Sequence, residues 1–311
     1  MTYSTGGTIQ ATDYNNFAGG STANISGQLN TVLSTGKGNA GYGQPAVSNV
    51  SVTGDITATQ WTTLVNGVNT VRKHQAGAGF SNIGTYTAGA TITAANDISG
   101  NLTNAYTNRL NFQALGTTVT GATFNSTFTA PNDTNAQTFN LTRTATFANA
   151  DAARYFFNAG GRLNFVMISS TNNDGTSRSA DVGTLAVTNF GSKAILAANA
   201  LARTGTGGTL NTDDTGTGYY GFTTANKSIV QITSTAAAYT TDVFYFYART
   251  NGTQGSNSDN GTIVYLSAQW QMGAQSPAFN DSINVTVAHR VDVIYPATAF
   301  LSNTWGSVTI A

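Results

Sequence analysis

Reactive chemistry in this chain has to be assembled from two histidines, His74 and His289, thirteen aspartates and the hydroxyl side chains. The 311 residues contain neither cysteine nor glutamate. A Ser-His-Asp triad needs a histidine beside an activated serine, and no G-x-S-x-G segment is present. A zinc site of the H-E-x-x-H type is impossible without glutamate. His289 falls in the middle of an alternating run, on the same face as Val285, Val287, Val291 and Val293. Such a residue reads as a packed, hydrogen-bonded core histidine. A glycosidase needs two facing carboxylates. Asp213 and Asp214 are adjacent in a Gly/Thr-rich stretch, 204–218, which reads as loop, and chain neighbours on a loop are not a preorganised pair. Calcium could be offered oxygens by Asp213, Asp214 or residues 257–261 (NSDNG), but neither has the EF-hand spacing. Residues 36–45 (GKGNAGYGQP) lack the P-loop pattern, since Gly38 follows Lys37 where Ser or Thr is required. The expectation is a chain with no catalytic residue, no cofactor and no metal site.

The chemistry left is that of surfaces. Residues 244–247 read Phe-Tyr-Phe-Tyr, which as a strand sends Phe244 and Phe246 to one face and Tyr245 and Tyr247 to the other. Tyrosines so placed suit a second packed layer or a subunit interface; the competing use is stacking on the sugar rings of a surface glycan. Trp61 and Val68 belong to an apolar helix stripe that could also serve as an interface.

The elements that must position these groups follow from periodicity. Trp61, Leu64, Val65, Val68 and Val71 recur at three and four, predicting a helix over 55–75 capped by Asp55 or Thr57. Ile98, Leu102, Tyr106 and Leu110 predict another from about 93 to 110, capped by Thr93. Shorter helices are expected over 11–17 and 25–33. From Val119 the period becomes two. Phe124 and Phe128, then Phe139, Leu141, Arg143, Ala145 and Phe147, predict a hairpin whose loop holds Pro131, Asn132 and Asp133. Residues 154–165 (RYFFNAGGRLNF) read as a helical turn, a Gly160-Gly161 break and a buried strand, and the chain is organised around them. Asp174-Gly175 reads as a type I′ turn. Residues 180–201 read as weak helix and loop. Strands are expected over 228–233, 242–249, 262–270 and 283–295. The fold class is α+β, with a small helical N-terminal region, about 1–115, before a β-rich, sandwich-like domain, about 116–311.

Thirteen basic residues balance thirteen acidic ones, and only 8% of residues are charged. Scattered, balanced charge gives no nucleic-acid face. No apolar run reaches the length of a membrane span, and no secretory signal is visible. Low net charge favours association, and Thr/Asn-rich strand edges need cover, so a homo-oligomer is expected.

Several segments resemble virion structural proteins of tailed bacteriophages, particularly those of cyanobacterial and other aquatic hosts. These are GGTIQATDYNNF and GYGQPAV near the start, VTGDITATQWTTLVNGVNTVRKHQ around Trp61, RYFFNAGGRLNF, GYYGF at 218–222 and the strand around 244–249. The resemblance implies a non-enzymatic subunit of the particle, in tail, baseplate or fibre, with itself and other virion proteins as partners. It also implies a trimer, common among phage fibres and spikes. A receptor-binding tail protein for a host glycan and a capsid decoration protein are the alternatives.

Overall fold

The computed structural model describes residues 10–20, 25–84, 95–254, 259–276 and 281–311. Four helices come first: α1 (Ala11–Ala18), α2 (Leu29–Leu33), α3 (Ala58–Ala76) and α4 (Ala95–Thr107). The α3 stripe is buried throughout. Thr57, not Asp55, caps it: Thr57 Oγ1 accepts from the Gln60 amide while Gln60 Oε1 accepts from the Thr57 amide. Thr93, the expected cap of α4, lies outside the described residues, as do Asn257 and Ser258 of the NSDNG segment.

Among the described residues eleven strands form two antiparallel sheets stacked as a sandwich. The first sheet is organised on β10 (Ile283–Pro296). One side of β10 pairs with β4 (Arg162–Asn172), which pairs onward with β5 (Ser192–Ile195). The other side pairs with β1 (Leu115–Val119) near its end and with β2 (Phe124–Ala130) near its beginning. The chain passes from β1 to β2 at Gly121, where a Cβ would strike the Val291 carbonyl oxygen at 2.1 Å. The second sheet runs β11 (Thr309–Ile310), β3 (Gln137–Thr146), β9 (Ile263–Met272), β8 (Val243–Thr250), β7 (Lys227–Thr233) and β6 (Thr209–Asp213).

The facing surfaces of the two sheets are apolar. Phe165 of β4 meets Phe246 of β8 with centroids 5.1 Å apart, and Phe128 of β2 meets Trp270 of β9 at 5.0 Å. The alternation read from β10 holds, with Val285, Val287, His289, Val291 and Val293 all buried.

Three expectations are corrected. β2 and β3 are not a hairpin, because β2 bonds β10 in one sheet and β3 bonds β9 in the other. Asp133, in the corner between them, is fully buried against Arg178, and this ion pair holds the crossing from sheet to sheet. Asp174-Gly175 is not a type I′ turn. Only Gly175 has positive φ, and the Asp174 carboxylate accepts from Thr176, the cap of helix α6 (Ser177–Thr184). The stretch 204–218 is not all loop, for it contains β6. Residues 185–190 continue α6 as one wide π turn, and β5 follows.

Helix α5 (Ala150–Asn158) ties the glycine-rich residues 35–41 to the rest. Arg154 is 4% exposed and donates to the carbonyls of Thr35, Gly38 and Ala40 at 2.8–3.1 Å. Asn158 donates to Gly38, Ala40 and Gly41, and the Tyr220 hydroxyl sits within 2.8 Å of both the Gly38 carbonyl and Asn158 Oδ1. These side chains satisfy carbonyls that a buried loop would otherwise leave unpaired. At the break after α5, Gly160 has φ +99°, whereas Gly161 lies against the Phe156 ring, 2.6 Å from where a Cβ would stand. A single apolar core runs from the α3 stripe through Phe156 and Phe157 into the sandwich.

Candidate functional site

The candidate site is the outer face of the six-stranded sheet. Alternation puts Phe244 and Phe246 of β8 in the core, both fully buried, and turns Tyr245, Tyr247 and Arg249 outward. No further layer of the described chain covers the outward residues, which remain partly exposed. Across from them on β9 stand Gln269, Ser267 and Tyr265, and beyond these on β3 stand Asn140, Thr142 and Thr144.

The tyrosine rings are parallel, 9° between planes and 5.5 Å between centroids. Burial, and then the stacked Tyr245, push the Tyr247 hydroxyl above its ordinary pKa. Arg249 lies over the Tyr265 ring at 3.6 Å, directly opposite in register. The amides are ordered among themselves: Gln271 donates to Gln269 and Gln269 to Asn140, at 2.8 and 2.7 Å. Thr142 and Ser267 share a 2.8 Å hydrogen bond. The result is a broad face of aromatic edges, amides and hydroxyls on which Arg249 is the one charge contributed by these strand positions.

A sugar sandwiched between two rings needs contact on both sides, so about 7–8 Å between planes at ordinary carbon–carbon contact distances. The 5.5 Å spacing closes that slot. The Tyr245 hydroxyl lies 3.5 Å from the Gln231 amide on β7, so the stacked pair joins a surface of donors and acceptors of the kind that packs against another protein.

The other expected interface residues lie elsewhere. Trp61 and Val68 are 1% and 0% exposed. Trp61 packs on Tyr14 and Phe17, with centroids 5.9 and 6.2 Å away, so the stripe is spent within the chain's own core.

The groups weighed for catalysis have structural occupations. His74 sits against the Ala159 carbonyl at 3.1 Å, and burial lowers its pKa to about 4. His289 accepts from Arg143 Nε at 2.9 Å, beside Phe124, and burial lowers its pKa too. Asp213 pairs with the buried Lys193, while Asp214 accepts from the Gly216 and Thr217 amides and faces Lys227. Among the described residues no group of three or more His, Asp or Glu is placed to hold a metal ion, and no helix is long and apolar enough to cross a membrane.

One cluster was not legible in the sequence. Arg178 of α6 is fully buried and donates to Asp242 at 2.8 Å, Asp133 at 3.4 Å and the Gly273 carbonyl at 2.7 Å, with Tyr239 stacked against it. Asp181, one turn on, accepts from Ser234 at 2.6 Å, while its second oxygen and that of Asp242 are buried without a hydrogen-bond partner among the described residues. Burial pushes both pKa values up, Asp242 to about 7. The cluster joins the corner before β3, α6 and the ends of β7, β8 and β9. Its only sequence signal is four charges in a chain that uses few.

Comparison with protein-family models, with curated proteins and with solved structures finds no match to this chain.

Proposed function

We propose that the chain is a non-enzymatic structural subunit of a tailed-bacteriophage particle, part of the tail, baseplate or fibre, acting through repeated protein–protein contacts. The observation that carries this reading is the outer face of the six-stranded sheet, with its closed tyrosine stack, amide ladder and nearly uncharged surface. The assignment to a phage particle rests on the resemblance of the N-terminal, Trp61 and RYFFNAGGRLNF segments. In this reading the subunit binds copies of itself and other virion proteins. Residues 1–115 serve attachment and 116–311 face outward, and an order of three rests on the resemblance alone.

Two measurements test it. Antibody labelling of washed particles locates the subunit, and its absence from them refutes the virion role. Sedimentation of the purified chain compares wild type with Tyr245→Ser and Tyr247→Ser. Weaker association in both variants is expected. Unchanged association removes this face as the contact, and wild-type-like glycan-array binding lost in both variants would favour receptor binding instead.

A further inference from the structure

We propose that the flank of the sandwich formed by β2 and the first half of β3 is a strand-pairing surface for a second copy of this chain, β2 of one protomer adding antiparallel to β2 of the other about Thr127. This goes beyond the virion reading and does not depend on it.

The two flanks of the sandwich are built differently. On one, the edge of β5 is covered by following chain, where Leu201 and Thr204 donate to the Ala194 and Ser192 carbonyls. The neighbouring edge strand β6 is short and bulged between Leu210 and Thr212, and it carries the Asp213–Lys193 ion pair beside Arg203. Shortness, a bulge, charge and covering chain are the devices that keep sheet edges from pairing.

On the other flank β1 is short and bulged between Leu115 and Thr118, but β2 and the first half of β3 have none of these devices. β2 bonds β10 on one side, and among the described residues no strand bonds its other side. β11 covers only Ala145 and Thr146 of β3, with Ala311 reaching Thr144, so among the described residues the edge over 137–143 is open as well. Between residues 112 and 142 the single charged side chain is Asp133, which is 0% exposed. Arg143 points inward, occupied by the Phe124 ring at 3.8 Å and by His289. Leu115 and Val119, on the same edge of the sheet, are 45% and 49% exposed.

β2 is also complementary to itself. Asn125, Thr127 and Thr129 lie on its exposed face, and Phe128 and Ala130 on its buried one. Antiparallel pairing about Thr127 sets Thr127 opposite Thr127 of the second copy and Asn125 opposite Thr129, twice. On the buried side Ser126 meets Phe128 and Phe124 meets Ala130. Every cross-strand pair is hydroxyl with hydroxyl or amide, or apolar with small, and none opposes like charges. The contact is isologous, as a two-fold axis requires, and it makes one continuous sheet through both protomers.

The test uses the purified full-length chain. Because it has no cysteine, a single introduced one can cross-link only to its counterpart. Under mild oxidation Thr127→Cys should give a disulfide-linked dimer, and Asn211→Cys on the guarded flank should not. Thr127→Lys places two ammonium groups opposite each other and should weaken association at least tenfold in sedimentation equilibrium. The Thr127→Cys cross-link should persist when Tyr245→Ser and Tyr247→Ser are added, which separates this contact from the tyrosine face. The proposal is overturned if the wild type is monomeric at every concentration. It is equally overturned if Thr127→Lys folds and associates as wild type does, or if Thr127→Cys cross-links no better than Asn211→Cys. Should Thr127→Lys fail to fold by circular dichroism, the two cysteine variants decide.

Discussion

Replacing Asp242 with Asn should change how stability depends on pH in a direction the buried cluster dictates. Asp242 is fully buried and its pKa is pushed up to about 7. The folded chain therefore holds a proton that the unfolded chain has released above about pH 4. A raised folded pKa contributes stability that is complete below the unfolded value and lost as pH rises through the folded value. A shift of about three pKa units is worth about 4 kcal/mol in all, of which about 2.5 kcal/mol falls between pH 5 and pH 8. For 311 residues at about 2.1 cal/mol/K each, 1 kcal/mol moves the melting temperature by about 1.5 °C, so the window is worth about 4 °C. The wild type alone will not display it. His74, with its pKa lowered to about 4, costs about 2 kcal/mol at pH 5 relative to pH 8, in the opposite sense. The informative quantity is the melting temperature of wild type minus that of Asp242→Asn, followed by calorimetry across this range. Asn retains an oxygen for Arg178 and for the Gly273 amide, so the cluster keeps those bonds. The difference should shift against the wild type by about 4 °C on going from pH 5 to pH 8. Parallel curves would refute the raised pKa of Asp242.

His74 supplies a complementary experiment. Its folded pKa lies below the unfolded one, so its contribution is complete above about pH 6.5 and is lost as pH falls toward 4. His74→Gln, which can still donate to the Ala159 carbonyl, should remove about 2 kcal/mol of the destabilisation seen on acidification to pH 5, read from urea midpoints. Gly160→Ala combines φ +99° with a Cβ 2.5 Å from the Phe112 ring and should cost about 1–3 kcal/mol. Gly175→Ala, at φ +74° with open space around it, should cost about 1 kcal/mol, and equal costs would show that the Phe112 contact is immaterial.

The parts of this fold visible in the sequence are those where one element's pattern decides its own outcome. The α3 stripe, a cap at Asp55 or Thr57 that the structure resolves as Thr57, and the one-sided burial of β8 and β10 are of this kind. Alternation tells which face of a strand is buried, not which strand lies beside it. β2 and β3 therefore read as a hairpin although they belong to different sheets. The Thr-rich residues around β6 carry no alternation, and the strand exists because β7 offers an edge. Of the candidate site, the outward tyrosines were legible and their stacking was not, since ring spacing depends on rotamers. Trp61 and Val68 showed an apolar stripe without showing whether its own chain or another covers it. The Arg178 cluster was hidden because its four charges come together only in three dimensions.

The long stretch of sequence between β2 and β10 has a kinetic consequence. Residues 115–130 take their sheet partner from residues 283–296, so the first sheet cannot close until residues 283–296 have left the ribosome. At about 5–20 residues per second the wait is about ten to thirty seconds. During it β1 and β2, uncharged and rich in Thr and Phe, have both edges free. Such long-range pairing is intrinsically slow, and an unpaired segment of this composition is prone to associate with its own kind. Yield of soluble protein should therefore depend on synthesis rate and temperature more steeply than the stability of the finished fold would suggest.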